Sequence, residues 1–163
     1  MKRARPSGPA INIRPARRSD TTVIARFNTS LARETEGLHL DATRVRRGVS
    51  ALLRDEAKGK YFIAEAGSEI AGQLLITREW SDWRDGDFWW IQSVYVSPRF
   101  RRQGVFQALY DHVRRLAQTS PRVSGLRLYV ERKNLRAKRT YRRLGMSKTH
   151  YELFETDFVL KPH

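Results

Sequence analysis

The sequence predicts a mixed α/β domain, with a central sheet carrying helices on both faces. Three observations predict it. Hydrophobic residues make up 40% of the 163 residues, enough for one domain with its own core. Apolar residues recur with two periods, alternating in some stretches and falling at helical spacing in others. The two kinds of stretch follow the order β-α-α-β-β-β-α-β-α, closed by one long or two short strands.

The elements follow in turn. "MKRARPSGPA" (residues 1–10) is basic with no apolar stretch behind it, so it reads as a flexible arm rather than a secretory signal. Residues 11–163 are then expected to form a single domain. "INIRPA" is a short strand ended by Pro15. Ser19 is the expected cap of a helix on which Val23, Phe27 and Leu31 share a face, and Gly37 closes it. Asp41 is the expected cap of a second helix, with Val45, Val49 and Leu52 on one side. "YFIAEA" and "EIAGQLLITREW" form a hairpin through Gly67-Ser68. "FWWIQSVYV" is apolar on both faces at several positions, which predicts a central strand covered twice. The next helix carries Val105, Leu109, Val113 and Leu116 on one face. "GLRLYV" alternates, with Leu126, Leu128 and Val130 to one side. "LRAKRTYRRLGM" is a short basic helix stopped by Gly145 in a left-handed conformation, and "THYELFETDFV" supplies the final strands.

Composition narrows the chemistry. Lysine and arginine number 32 against 17 acidic residues, a formal net charge of +15 that predicts an anionic partner. The chain has no cysteine, which excludes disulfides, thiolate nucleophiles and cysteine-ligated metals. His39, His112, His150 and His163 lack zinc-ligand spacing, so no metal site is expected. No apolar run approaches the roughly 20 residues of a membrane span, and the expected location is cytoplasmic.

"VSPRFRRQGVFQALY" concentrates cations between the end of a strand and the start of a helix. The first N–H groups of a helix have no partner inside it and sit at the positive end of its dipole, a setting that suits an anion. Gly104 leaves room for close approach to the backbone, and Arg99, Arg101 and Arg102 bring fork-shaped donors matched to phosphate oxygens. The stretch contains neither the P-loop pattern nor the dinucleotide glycine fingerprint.

"YVSPRFRRQGVFQALYDHV" resembles motif A of the GNAT superfamily of N-acetyltransferases, Arg/Gln-x-x-Gly-x-Gly/Ala, with Arg101 at its first position, Gly104 at its central glycine and Phe106 where glycine or alanine is usual. "NLRAKRTYRRLGM" resembles motif B, with Asn134, Ala137, Tyr141, Gly145 and Met146 in register. The resemblance covers the chain beyond its first ten residues. It implies a GNAT-type mixed, mostly antiparallel sheet, splayed between the fourth and fifth strands, with helices on both faces. It further implies acetyl-CoA as cosubstrate. Val94, Tyr95 and Val96 would pair with the pantetheine arm. Arg101, Arg102, Gln103, Gly104, Val105 and Phe106 would surround the pyrophosphate, while Asn134 and Ala137 would hold the arm further on. Tyr141 would give a proton to the departing thiolate, and the acceptor would be a small-molecule or peptide amine. A homodimer is left open.

The acceptor amine must be neutral to attack, yet a lysine-like amine with a pKa of about 10.4 is uncharged in only about one molecule in a thousand at pH 7. Relatives implied by the resemblance carry acids on the fourth strand, where this chain has Gln92 and Ser93, neither of which can act as a base. Glu79, Asp82, Asp85, Asp87 and Glu131 are the remaining candidates, or a water held by Gln92 and Ser93. Trp80, Trp83, Trp89 and Trp90 flank an acidic loop and could line an acceptor pocket, Trp83 and Trp90 above all, or pack as core or interface residues. A second reading is a nucleic-acid-binding protein, motivated by the net charge and the cations of "ERKNLRAKRTYRR". It is not favoured, because that helix coincides with motif B and coenzyme A is itself polyanionic. An acyl-CoA sensor without turnover is a third.

Overall fold

Five strands form one open sheet in the computed structural model, which describes residues 10–160. They are β1 (Ile11–Pro15), β2 (Lys60–Ala66), β3 (Glu69–Ser81), β4 (Gly86–Val96) and β5 (Val123–Leu128), neighbours in that order. Each pair is antiparallel except β4 and β5, which run parallel. Four helices accompany them: α1 (Thr21–Glu36), α2 (Ala42–Leu52), α3 (Val105–Thr119) and α4 (Leu135–Arg143). The chain divides into two compact units, one ending at Tyr129 and the other beginning at Val130. The first holds the whole sheet with α1, α2 and α3, and the second holds α4. Apart from Ala10, the expected basic arm lies outside the described residues.

Alternation along β2 explains the two covered faces. Tyr61 and Ile63 join Ile24, Ala25, Val49 and Leu75 in a cluster under α1 and α2. Phe62 points the other way, where its ring meets His112 of α3 edge-on at 5.1 Å. Leu109 and Val113 of α3 are fully buried. Burying a side chain of this size contributes about 1.5–3 kcal/mol, so the two layers rest on apolar area rather than on surface charge.

Local rules account for the turns, with three departures. Asp41 caps α2 as expected, its Oδ1 accepting from the Arg44 N–H at 2.6 Å, and Gly37 ends α1 at φ 68°. Ser19 does not cap α1, which begins at Thr21 after a 3₁₀ turn over Arg18–Asp20. The group that organises this corner is buried Asp20, whose carboxylate accepts from Arg14 at 2.7 Å and from the Arg17 N–H at 2.7 Å. On α3 the residue after Val113 on the buried face is Ala117, at a spacing of four, while Leu116 is exposed. The expected final strands are absent from residues 149–159. Alternating aromatic and apolar residues make a strand only against a partner edge, and Tyr151, Phe154 and Phe158 remain exposed there. Asp157 turns the chain instead, accepting from the N–H groups of Val159 and Leu160 at 2.7 Å each. Val130, expected on the last face of "GLRLYV", falls beyond the end of β5. No helix among the described residues is long and apolar enough to cross a membrane.

Candidate functional site

The sheet opens where β4 outlasts β5. The parallel ladder matches Asp87 with Val123 and ends with Ile91 opposite Leu128, whereas β4 continues to Val96, still paired with β3 at Gly72. Residues 92–96 therefore keep a ladder on one side only. An extended ligand can add to such an edge as a further strand would. Val94, Tyr95 and Val96 all lie on it.

This edge is not regular. Gln73 faces Tyr95 but Leu75 faces Gln92, so Ser93 and Val94 together oppose Leu74 in a bulge. Ser93 takes a left-handed φ of 46°, a conformation costing about 1–2 kcal/mol without glycine. Gln92 donates to the Thr77 hydroxyl at 2.7 Å. Burial raises the Tyr61 phenol above its ordinary pKa, against the opposing effect of Asn28, which donates to it at 2.9 Å, and of the nearby Ser93 side chain.

Beyond Val96 the chain turns through Pro98–Phe100, then through Arg102 at φ 65° and Gly104 at φ 82°, into α3. Phe100 and Val105 are buried on either side of the turn and fix it to the core. A Cβ added to Gly104 would meet no protein atom within 4 Å, so glycine answers to the left-handed φ and leaves the outer face of the turn clear. The N–H groups of residues 102–104 donate to no acceptor among the described residues. They precede the first turn of α3, whose N–H groups have no acceptor within the helix itself. Backbone N–H groups presented at the start of a helix suit an anion.

The arginines divide by role. Arg99 is held in a two-pronged pair with Glu69, at 2.7 and 3.2 Å. Arg101 donates to the Val96 carbonyl at 2.9 Å and to Glu34 at 2.7 Å, with its guanidinium 5.5 Å above the Tyr95 ring centre. Tyr95 donates its hydroxyl to the same Glu34 at 2.7 Å. That bond, opposed by burial and helped by Arg101, holds the Glu34 carboxyl below its usual range. Arg101 thus braces the end of β4 against α1. Gln103 donates back to the Arg99 carbonyl at 2.7 Å. Arg102 is exposed and makes no ion pair among the described residues, which leaves its charge for a ligand. Phe106 is half-buried, its ring 6.2 Å from that of Tyr110.

Asn134, Ala137 and Tyr141 belong to the second unit. Asn134 caps α4, its Oδ1 accepting from the Ala137 N–H at 3.0 Å, so that these two residues are tied to each other. Tyr141 lies one helical turn further on. Burial pushes its phenol above the ordinary pKa. Gly145, at φ 85°, terminates the helix as expected, and the Met146 N–H returns to the Tyr141 carbonyl at 3.0 Å.

The tryptophan loop does not enclose a pocket. Trp80 and Trp83 are exposed, the latter at 84%. Trp90 stacks on Tyr129 with ring centres 4.4 Å apart and donates its indole N–H to Glu79 at 2.5 Å. Glu79 also accepts from Arg127 at 2.6 Å, and Arg127 lies 3.7 Å above the centre of the Phe88 ring. Among the candidate bases, Glu79 is therefore committed to a structural pair. Asp82 accepts from the Trp83 N–H, Asp85 sits at φ 48° in the turn, the Asp87 N–H donates to the Arg122 carbonyl, and Glu131 caps the Lys133 N–H.

Two features of the site escaped the sequence. Glu34 lies far away in the chain and nothing local marks it. Gln73 did leave a signal, a lone amide inside the apolar run "IAGQLLI", where a fully buried polar side chain needs a partner.

The Acetyltransferase (GNAT) family model matches residues 24–146. A solved structure described as a possible acetyltransferase from Clostridium difficile 630 is 44% identical, with a TM-score of 0.85 over 92% of this chain and 99% of that one. A ribosomal-protein-alanine N-acetyltransferase from Brucella melitensis shares the fold at 18% identity, with a TM-score of 0.72 over 92% of this chain and 100% of that one. An aminoglycoside N-acetyltransferase in complex with CoA does so at 17% identity, with a TM-score of 0.72 over 96% of this chain and 100% of that one. No curated protein matches the chain.

Proposed function

Since the chain belongs to the GNAT acetyltransferase family, we propose that it moves an acetyl group from acetyl-CoA directly to a primary amine on a small molecule or peptide. The observation that supports this reading best is the open edge of β4 leading into the N–H groups around Gly104. It offers strand-like pairing for an amide-bearing arm and, at its end, donors for a diphosphate. Acetyl-CoA would supply an acetyl thioester. The residues at 94–96 would align its arm, and the backbone of residues 102–106 with the Arg102 guanidinium would hold its pyrophosphate. Asn134 and Ala137 would bind the arm beyond the sheet. Trp83, Trp90, Gln92 and Ser93 remain the proposed acceptor surface.

Tyr141 is the proposed general acid. Its raised pKa keeps the phenol protonated at neutral pH, so the proton is available when the thiolate leaves. A thiol near pKa 8.5 is the stronger acid of the two, so transfer depends on position rather than on driving force. Gln92 and Ser93 stand where the resemblance places acids on the fourth strand, and proton removal from the amine is assigned to water held by these two side chains. Cytoplasmic action and a single catalytic domain over residues 11–163 are parts of the same reading, which leaves a homodimer open.

Two measurements test it. Acetyl-CoA should raise the melting temperature by mass action, and dephospho-CoA should do so less if Arg102 and its neighbours reach the 3′-phosphate. No shift at millimolar acetyl-CoA would remove the reading. Tyr141→Phe keeps the ring and removes the proton; turnover should fall by roughly 10²–10⁴ with cofactor affinity little changed. Full activity in that variant with a good amine acceptor would return Tyr141 to a packing role. A tight, sequence-selective duplex DNA site that tolerates salt and ignores coenzyme A would instead favour a nucleic-acid function.

A further inference from the structure

Only two polar or charged residues are buried among those described, Asp20 and Gln73. Asp20 is explained by Arg14, which donates to it at 2.7 and 3.1 Å. Gln73 has no charged partner and is fully buried. Its Nε2 donates to Asn28 Oδ1 at 2.7 Å and to the Ser93 carbonyl at 3.3 Å. Asn28 passes the chain on, donating to the Tyr61 hydroxyl at 2.9 Å. One network thereby joins α1, β2, β3 and β4 at a single residue of β4, the one in the left-handed conformation.

The position of Gln73 on β3 matters as much as its bonds. It lies directly before Leu74, the residue that two β4 residues oppose. Strand side chains alternate with period two, so one extra residue exchanges the faces of everything beyond it. The bulge therefore decides which way Val94, Tyr95 and Val96 present their side chains and backbone groups. In a bulge the extra carbonyl leaves the regular ladder, and burial makes an unmatched carbonyl costly. Gln73 supplies that carbonyl with a donor. It does so at a cost, because its own Oε1 has no hydrogen-bond partner among the described residues. An apolar side chain would serve a core of Leu74, Leu75 and Ile76 without that deficit.

Resting on the acetyl-CoA reading above, we infer that Gln73 is a positioning residue for the cosubstrate: held by Asn28, it fixes the Ser93 bulge, and the bulge sets the edge of β4 that receives the pantetheine arm. It touches no substrate itself. Its side chain acts entirely through the backbone of residues 93–96.

The test uses Gln73→Met, which keeps length and bulk and removes the donor, together with the double variant Asn28→Leu/Gln73→Met, which removes both members of the strongest bond. Three quantities are read in each: amide hydrogen exchange at residues 92–96 without ligand, thermal stability, and KM for acetyl-CoA against kcat. In Gln73→Met the exchange at 92–96 should accelerate about tenfold and KM should rise by a similar factor, the scale of one buried hydrogen bond. The double variant should regain only part of the stability lost in Gln73→Met, because it deletes the stranded Asn28 Oδ1 but also takes the Asn28 donor from the buried Tyr61 hydroxyl. A positioning role predicts that its exchange and KM stay impaired. Recovery of all three together would mean that Gln73 only stabilises the core, and normal exchange with unchanged KM in Gln73→Met would overturn the inference outright. If Gln73→Met fails to fold, the double variant still carries the exchange and KM measurements. The exchange arm needs no substrate. Should the wild-type protein not bind acetyl-CoA, the cosubstrate role falls with the functional reading, while exchange still decides whether Gln73 holds the bulge.

Discussion

Helices α3 and α4 bear the two conserved-type motif segments of the candidate site, and they are held in opposite ways. α3 buries Val105, Leu109, Tyr110, Val113 and Ala117, and its first residue is itself a core residue. α4 has no fully buried residue among its nine, Tyr141 being half-buried, and five of the nine are cationic. Its order comes from its ends: the Asn134 cap, Arg142 and Arg143 in the last turn where the dipole favours cations, and Gly145 in a left-handed stop. A helix pinned through its flank fixes its N-terminal amides as rigidly as the core itself. One pinned through its caps keeps its register only while the caps hold. The difference suits the proposed division of labour, a stiff diphosphate cradle and a separately anchored proton donor.

The largest expected effect breaks the first of these. Leu109 is fully buried on α3, so Leu109→Ala leaves a cavity at the centre of the helix flank. The loss should be about 2–5 kcal/mol. Urea denaturation followed by tryptophan fluorescence would measure it, and acetyl-CoA protection should weaken with it because the N-terminal amides lose their reference. A loss below about 1 kcal/mol would mean that α3 is not fixed by its core face, contrary to the burial on which the comparison stands.

A pH profile sharpens the contrast at the other helix. Burial raises the Tyr141 phenol above about 10, its ordinary value. A raised pKa favours the protonated form in the folded state, so the acid is fully present below that value and is lost only as pH rises through the raised one. Turnover that depends on this proton should therefore show no descending limb between pH 7 and about 10 once the acceptor is neutral. A fall with a midpoint near 8 would assign the acid to some other group.

How much of this could be read from the sequence follows the same line between local and distant causes. The strand and helix periods gave β1 to β5 and α1 to α4, because each is recorded within a window of a few residues. The cap Asp41 and the stops Gly37 and Gly145 were legible for the same reason, whereas Asn134 was read only as a cofactor contact and not as the cap of α4. Asp20 was not, since its burial depends on Arg14 reaching it from β1. The Arg101–Glu34 contact joins residues 67 positions apart, and the Ser93 bulge is set by what β3 places opposite it. Residues 149–159 mark the converse failure, a strand pattern without a strand, because pairing is a property of two segments and only one was visible.

The smallest effect is the most diagnostic for α4. Asn134→Ala removes the side-chain oxygen that accepts from the Ala137 N–H at 3.0 Å. An N-cap lost in this way costs about 1 kcal/mol. In α3, by contrast, the residue before the helix is Gly104, which makes no side-chain cap, so the core carries the helix start without one. The prediction is thus specific to the end-held helix. Asn134→Ala should raise amide exchange in residues 135–138 severalfold and leave α3 unchanged. Cofactor affinity should fall in addition if Asn134 also bonds the pantetheine arm. Asn134→Ser separates the two contributions: serine caps nearly as well but lacks the amide, so exchange should return towards wild type while the affinity loss persists. If both variants bind acetyl-CoA normally, Asn134 is a cap and nothing more. If neither changes exchange in α4, the helix is held by something other than its ends, and the contrast with α3 does not stand.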